Sequence, residues 1–122
     1  MTYTSRVIPD HAFGIKPIVR IRDIDAVAHN YLLFKNNADK TNSICAAVLK
    51  AEVHGLQMID VAPVLYSVGA RYFFVAELYE AINLREILPQ KDAKIYTLAG
   101  ILINEEQYFN EYDMIPCINC LE

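Results

Sequence analysis

Apolar residues recur along this chain with two alternating periods. Ile24, Val27, Ala28, Tyr31 and Phe34 stand at helical spacing and share one face. Asp23 or Asp25 can accept the free amide hydrogens of that helix's first turn. Ser43 to Leu49 (SICAAVL) is short and apolar on both alternating sides, the pattern of a parallel-sheet strand covered on both faces. Met58, Val61, Ala62, Leu65 and Val68 return to helical spacing, and Gly69 sits where a left-handed cap is wanted. Pro63 must lie in the first turn of that helix or bend it. Tyr72 to Ala76 (YFFVA) predicts a second buried strand. A helix follows with Leu78, Ala81, Ile82 and Leu88 on one side and Pro89 to stop it. Lys94 to Leu98 (KIYTL) predicts a third strand, Glu105 to Glu111 a shorter helix, and Ile115 to Asn119 (IPCIN) a fourth strand. Ahead of all these, Ile18 to Arg22 (IVRIR) alternates and could be a short strand. Residues 1–17, punctuated by Pro9, Gly14 and Pro17, read as irregular.

Strands and helices therefore alternate at a spacing of roughly 20 to 30 residues, as parallel βα units do. Right-handed crossovers lay the parallel strands inside and the helices outside. Two α/β architectures fit: a small doubly wound sheet, or part of a (β/α)8 barrel. A whole barrel needs about 250 residues, and this chain has 122. No repeat, low-complexity tract or charge block marks a second domain.

Composition narrows the partners. The net charge is −4 and no basic stripe is present, which argues against nucleic acid. No apolar run approaches the roughly 18 residues needed to span a bilayer, and the first residues lack a secretory apolar region, so no membrane partner is expected. Three cysteines form no disulfide framework and suit a reducing, cytoplasmic setting.

Lys50 stands out. Ala46, Ala47, Val48 and Leu49 lead straight into it, so it falls at the carboxyl end of a strand. That end is where α/β sheets and barrels keep their sites. Burial there frees a lone pair for condensation with an aldehyde. The same position is also compatible with an ammonium that simply stays in water.

The residues around Lys50 add to this. AVLKAEVHG resembles the pyridoxal-phosphate signature of alanine racemases, a strand ending in Val-Val-Lys followed by Ala, a small polar or acidic residue, Ala, Tyr and Gly. DIDAVAHNYLLFK is similar to the helix ahead of that family's first barrel strand. VAPVLYSVGARYFFVAELYEAINLRE resembles its next helix, strand and helix, and IYTLAGILINEEQYFNEYDMIPCINCLE its third and fourth strands. The likeness is collinear over roughly residues 20 to 122. It implies a partial (β/α)8 barrel, about the first four βα units over residues 18–122, that binds pyridoxal 5'-phosphate through a Schiff base on Lys50 and interconverts L-alanine and D-alanine. The resemblance makes Lys50 one acid–base group. The other, in the family, is a tyrosine from the C-terminal region of the partner subunit, so a homodimer or a separately encoded second half is implied. Val48 and Leu98 match positions that pack beside the cofactor ring, and they are equally suited to ordinary barrel core. His54 stands where the family has a phosphate-binding tyrosine. It can donate to a phosphate oxygen or face solvent idly. Gln57 replaces a usual glycine, while Gly55 is kept. A cofactor-binding module without turnover, or the remnant of a decayed gene, are the competing readings.

Three further groups attract attention without carrying chemistry. Cys117 and Cys120 form a lone Cys-x-x-Cys at a strand end, too few ligands for zinc and set differently from a redox motif. His11 and His29 have no neighbouring cluster, and His29 reads as a surface residue. Glu105 and Glu106 suit a solvated helix start.

Overall fold

The computed structural model of the chain describes residues 21–120. The irregular segment expected over residues 1–17, with His11, lies outside them. So does most of the strand expected at Ile18 to Arg22, and Ile21 and Arg22 belong to no element.

The first element among the described residues is helix α1 (Ile24–Lys40). Asp23 caps it, its carboxylate accepting the Ala26 N–H at 2.9 Å. The helix outruns its apolar pattern by almost two turns. Ala28 and Tyr31 are buried as expected, but Phe34 is 70% exposed, because it lies at the flank of the buried stripe, which runs on through Lys35 beside Gly69. The buried Tyr31 hydroxyl donates to the Cys45 carbonyl at 3.2 Å and ties α1 to the approach of the first strand. Burial raises the pKa of that phenol, keeping it the donor.

Strand β1 is only Ala47–Val48, shorter than the run Ser43 to Leu49 suggested. A tight turn, Lys50–Gly55, leads into helix α2 (Met58–Ser67). The end of α2 follows its sequence signal closely. Gly69 adopts φ +99°, with the Ala70 N–H on the Leu65 carbonyl and the Gly69 N–H on the Tyr66 carbonyl, the paired bonds of a Schellman cap. Pro63 does not sit in the first turn: it is the sixth helical residue, on the solvent side of α2. There, lacking an N–H, it cannot donate to the Ile59 carbonyl one turn back.

Strand β2 (Tyr72–Val75), helix α3 (Leu78–Ile87), strand β3 (Lys94–Thr97), helix α4 (Glu106–Glu111) and strand β4 (Met114–Pro116) complete the order. Pro89 ends α3, with Leu88 before it out of the helical region at φ −119° and ψ 81°, as the proline requires. Glu105 starts α4 partly covered, its carboxylate accepting the Leu102 N–H at 2.9 Å, and Glu106 is exposed. His29 is exposed on α1.

All four strands are parallel, in the order β1-β2-β3-β4. Ala47 pairs with Phe73, Phe73 with Ile95 and Ile95 with Met114. This row is buried under the helices, in a core shared with Val61, Ala62, Leu65, Ala81 and Leu84. The next row, Val48, Phe74, Tyr96 and Ile115, points to the opposite face. Val48 is 55% exposed there, which corrects the expectation of a strand covered on both sides. Among the described residues the helices lie against one face only: α1 packs on α2, α2 on α3, and α3 on β3. A doubly wound sheet carries helices on both faces, so of the two candidate architectures the geometry matches the barrel segment.

Buried Arg85 staples the amino ends of β3 and β4 to the end of α3. Its guanidinium donates to the carbonyls of Leu88, Gln90, Ala93, Tyr112 and Asp113, at 2.8 to 3.2 Å. Desolvation lowers its pKa, yet an arginine keeps its charge.

Candidate functional site

Lys50 lies where the sequence put it, at the carboxyl end of β1. The last ladder bond of that strand runs from the Leu49 N–H to the Phe74 carbonyl at 2.8 Å. Leu49 has already left the extended region (φ −113°, ψ 14°), so Lys50 opens the turn at the end of β1, next to the row formed by Val48, Phe74, Tyr96 and Ile115. Val48 and Leu98, both exposed, lie at the carboxyl ends of β1 and β3, the end of the sheet at which Lys50 stands. Phe74 and Tyr96 stack in the row below, with centroids 4.6 Å apart and planes 12° from parallel. They form a flat apolar floor next to the lysine.

Lys50 is exposed, not buried as a dry amine would be. The physical reason is the open inner face: nothing among the described residues covers the Val48 row. Among the described residues the lysine makes no ion pair, the charged contacts being Arg22–Asp60, Lys35–Asp39 and Arg71–Asp92. Its amine is uncommitted.

The segment after Lys50 winds the wrong way for L-amino acids. Ala51, Glu52, Val53 and His54 all have φ between 50° and 55° with ψ between 32° and 48°. Each non-glycine residue in this left-handed region costs roughly 1–2 kcal/mol. Val53, branched at Cβ, is especially unsuited to it. Gly55 follows at φ 92°, the one position of the run where no Cβ is strained. Such a run persists only where its surroundings hold it. Val53 and Leu56 pack on the core from below. The Gln57 N–H bonds back to the Glu52 carbonyl at 3.1 Å, and Arg22 reaches the Leu56 carbonyl and the Gln57 side chain.

The strongest hold comes from α3. Glu80 is only 6% exposed. One of its carboxylate oxygens accepts the N–H of Ala51, immediately after Lys50, and the other accepts the N–H of Ala76, each at 2.7 Å. These are short, charge-assisted bonds. His54 stands exposed at the far end of the turn.

The sequence pattern did not disclose the left-handed run or Glu80. No proline, and no glycine before Gly55, punctuates Ala51 to His54, and Glu80 lies outside the apolar face read for its helix. The one available signal was a carboxylate four residues after a strand end, a weak one. Cys117 and Cys120 are free thiols, partly covered and exposed respectively. Among the described residues no cluster of three or more metal-ligating side chains occurs, and no helix is long and apolar enough to cross a membrane.

Residues 22–122 match the family model described as alanine racemase, N-terminal domain. The chain is 42% identical over 100 residues to the alanine racemase of Rhizobium meliloti, covering 82% of this chain and 25% of that one. To the biosynthetic alanine racemase of Agrobacterium fabrum it is 35% identical over 107 residues, covering 88% and 26%. A crystal structure of alanine racemase from Bartonella henselae with covalently bound pyridoxal phosphate superposes with a TM-score of 0.72 at 34% identity, over 78% of this chain and 27% of that one. The enzyme from Corynebacterium glutamicum gives 0.69 at 28% identity, over 78% and 26%. The chain spans about a quarter of the length of these relatives.

Proposed function

The chain belongs to the alanine racemase family, and on that premise we propose that residues 18–122 form the lysine-bearing first half of a pyridoxal-phosphate barrel for alanine racemisation. The position of Lys50 carries this reading: a primary amine at the carboxyl end of β1, beside an apolar floor, in a parallel sheet that superposes on a racemase holding that cofactor.

The residues present fit the group. Lys50 supplies an uncommitted amine at the carboxyl end of the sheet, where Val48 and Leu98 also lie exposed, and the stacked Phe74 and Tyr96 offer a flat neutral surface. His54 is the side chain of the turn able to donate to a phosphate oxygen. When bound, pyridoxal phosphate supplies an electron-withdrawing ring that makes the Cα–H of an amino acid acidic. With the cofactor bound, Lys50 would take or return the Cα proton on one side. Inversion needs a second base on the other side and a cover over the open sheet face. A second copy or a further barrel half supplies these. The exposure of Lys50 favours one competing reading specifically, a chain that holds the cofactor without turning substrate over.

The test is capture of the cofactor. Incubation with pyridoxal phosphate, borohydride trapping and peptide mass analysis are expected to find the adduct on Lys50 at least fivefold above Lys91. Lys50→Ala removes the visible absorbance. Equal labelling of Lys50 and Lys91 refutes the reading. Alanine racemisation is expected only after the remaining barrel and C-terminal region of a relative are supplied. Capture at Lys50 with no racemisation after that supports the cofactor-holding alternative.

A further inference from the structure

We propose that Glu80 is a positioning residue for Lys50, its buried carboxylate locking the left-handed turn that sets the lysine at the mouth of the sheet. The inference rests on the reading of Lys50 as the cofactor-bearing amine, and it concerns a residue that touches neither cofactor nor substrate.

The two amides that Glu80 accepts lie beyond the carboxyl ends of neighbouring strands, Ala76 directly after β2 and Ala51 three residues past Val48, the last residue of β1. In a continued parallel ladder the Ala51 N–H would face the Ala76 carbonyl. That carbonyl is instead taken by the Ala99 N–H at 2.9 Å, as β2 leans towards β3. The strands part at this point, and Ala51 loses its ladder partner one residue after Lys50. Glu80, reaching in from the first turn of α3, fills the gap with one oxygen and fixes the end of β2 with the other.

The choice of a carboxylate follows from the geometry. Two N–H groups converge on one side chain, so both of its terminal atoms must accept. A glutamine accepts with one and presents an NH2 group to the second amide. An aspartate is one methylene too short to reach both. The Ala51 bond also stands at the entrance to the four left-handed residues, where the chain would otherwise relax to right-handed backbone. Relaxation there swings Lys50 away from the end of the sheet where Val48 and Leu98 lie, since the lysine is the residue joining strand to turn.

Glu80→Gln, compared with Leu84→Ala, separates positioning from stability. Leu84 is fully buried on the same helix and has no bond to the turn, so its truncation loosens the core without touching the clamp. Both variants are assayed as the 122-residue chain, well below their melting temperatures. In Glu80→Gln the Ala51 amide is expected to exchange at least tenfold faster than in Leu84→Ala. Pyridoxal-phosphate capture at Lys50 relative to Lys91 is expected to fall at least fivefold in Glu80→Gln and to hold in Leu84→Ala. Should Glu80→Gln not fold, Glu80→Asp carries the same measurements. Unchanged capture in the Glu80 variant, or Ala51 exchange no faster than in Leu84→Ala, overturns the inference and leaves the cofactor reading standing. Wild-type protein without preference for Lys50 removes that reading and the inference with it.

Discussion

Glu80 and Arg85 sit five residues apart on α3, both buried and both charged, and neither has a side-chain ion partner among the described residues. Each is satisfied by backbone instead. Glu80 collects amides at the carboxyl ends of the strands, and Arg85 collects carbonyls at the amino ends. One helix thereby pins both ends of the strands with opposite charges matched to opposite backbone dipoles. The rigid fork of an arginine suits five carbonyls that lie around it. Arg85→Met leaves those acceptors without their donor, and a loss of about 3 kcal/mol in urea unfolding is expected. Arg85→Lys recovers less than half of it, because an ammonium has three donors and no fork. A change below about 1 kcal/mol for Arg85→Met would mean that water replaces the staple freely.

Helix α2 and the turn before it show two kinds of backbone strain with different supports. The left-handed run Ala51 to His54 is held by Glu80 and by the packing of Val53 and Leu56. Pro63 has no such support. It interrupts the hydrogen bonding of an otherwise regular helix on its wet side, where no described hydrogen bond or ion pair depends on it. Pro63→Ala restores an N–H for the Ile59 carbonyl, and the full proline penalty of about 3 kcal/mol is partly offset by the looser unfolded chain. A net gain of roughly 1–2 kcal/mol, seen as a higher melting temperature, is the expected outcome. A lower melting temperature would reveal that the proline shapes the approach to the turn.

The whole sheet is two-faced. Its helix side is sealed by Phe73, Val75 and Ile95, each with no exposed surface, while Val48, Phe74, Tyr96 and Ile115 form an open apolar row on the other side. In a closed barrel that row is interior. As a free 122-residue chain the protein is expected to self-associate through this face and to bind a hydrophobic dye. Phe74→Lys, placed at the centre of the row, is expected to cut dye binding several-fold and shift sedimentation towards monomer. Wild-type protein that sediments as a monomer without dye binding would show that the face is covered by the chain's own remaining residues.

Strands at Tyr72 to Ala76 and Lys94 to Leu98, the cap at Gly69 and the stop at Pro89 were legible in the sequence because each depends on neighbours a few residues away. The lysine at the end of β1 was legible for the same reason: an apolar run ending in an amine is a local pattern. The exposure of Phe34 and Val48 was not, since both sit on apolar patterns whose covering elements are set by distant packing. Nor was the left-handed path after Lys50. No residue from Ala51 to His54 favours it. It exists because a carboxylate 29 residues away in sequence takes the amide at its start. Local propensity fixes which segments become strand or helix, whereas the handedness of this turn, and with it the bearing of Lys50, is settled by a contact that forms only once α3 has docked on the sheet.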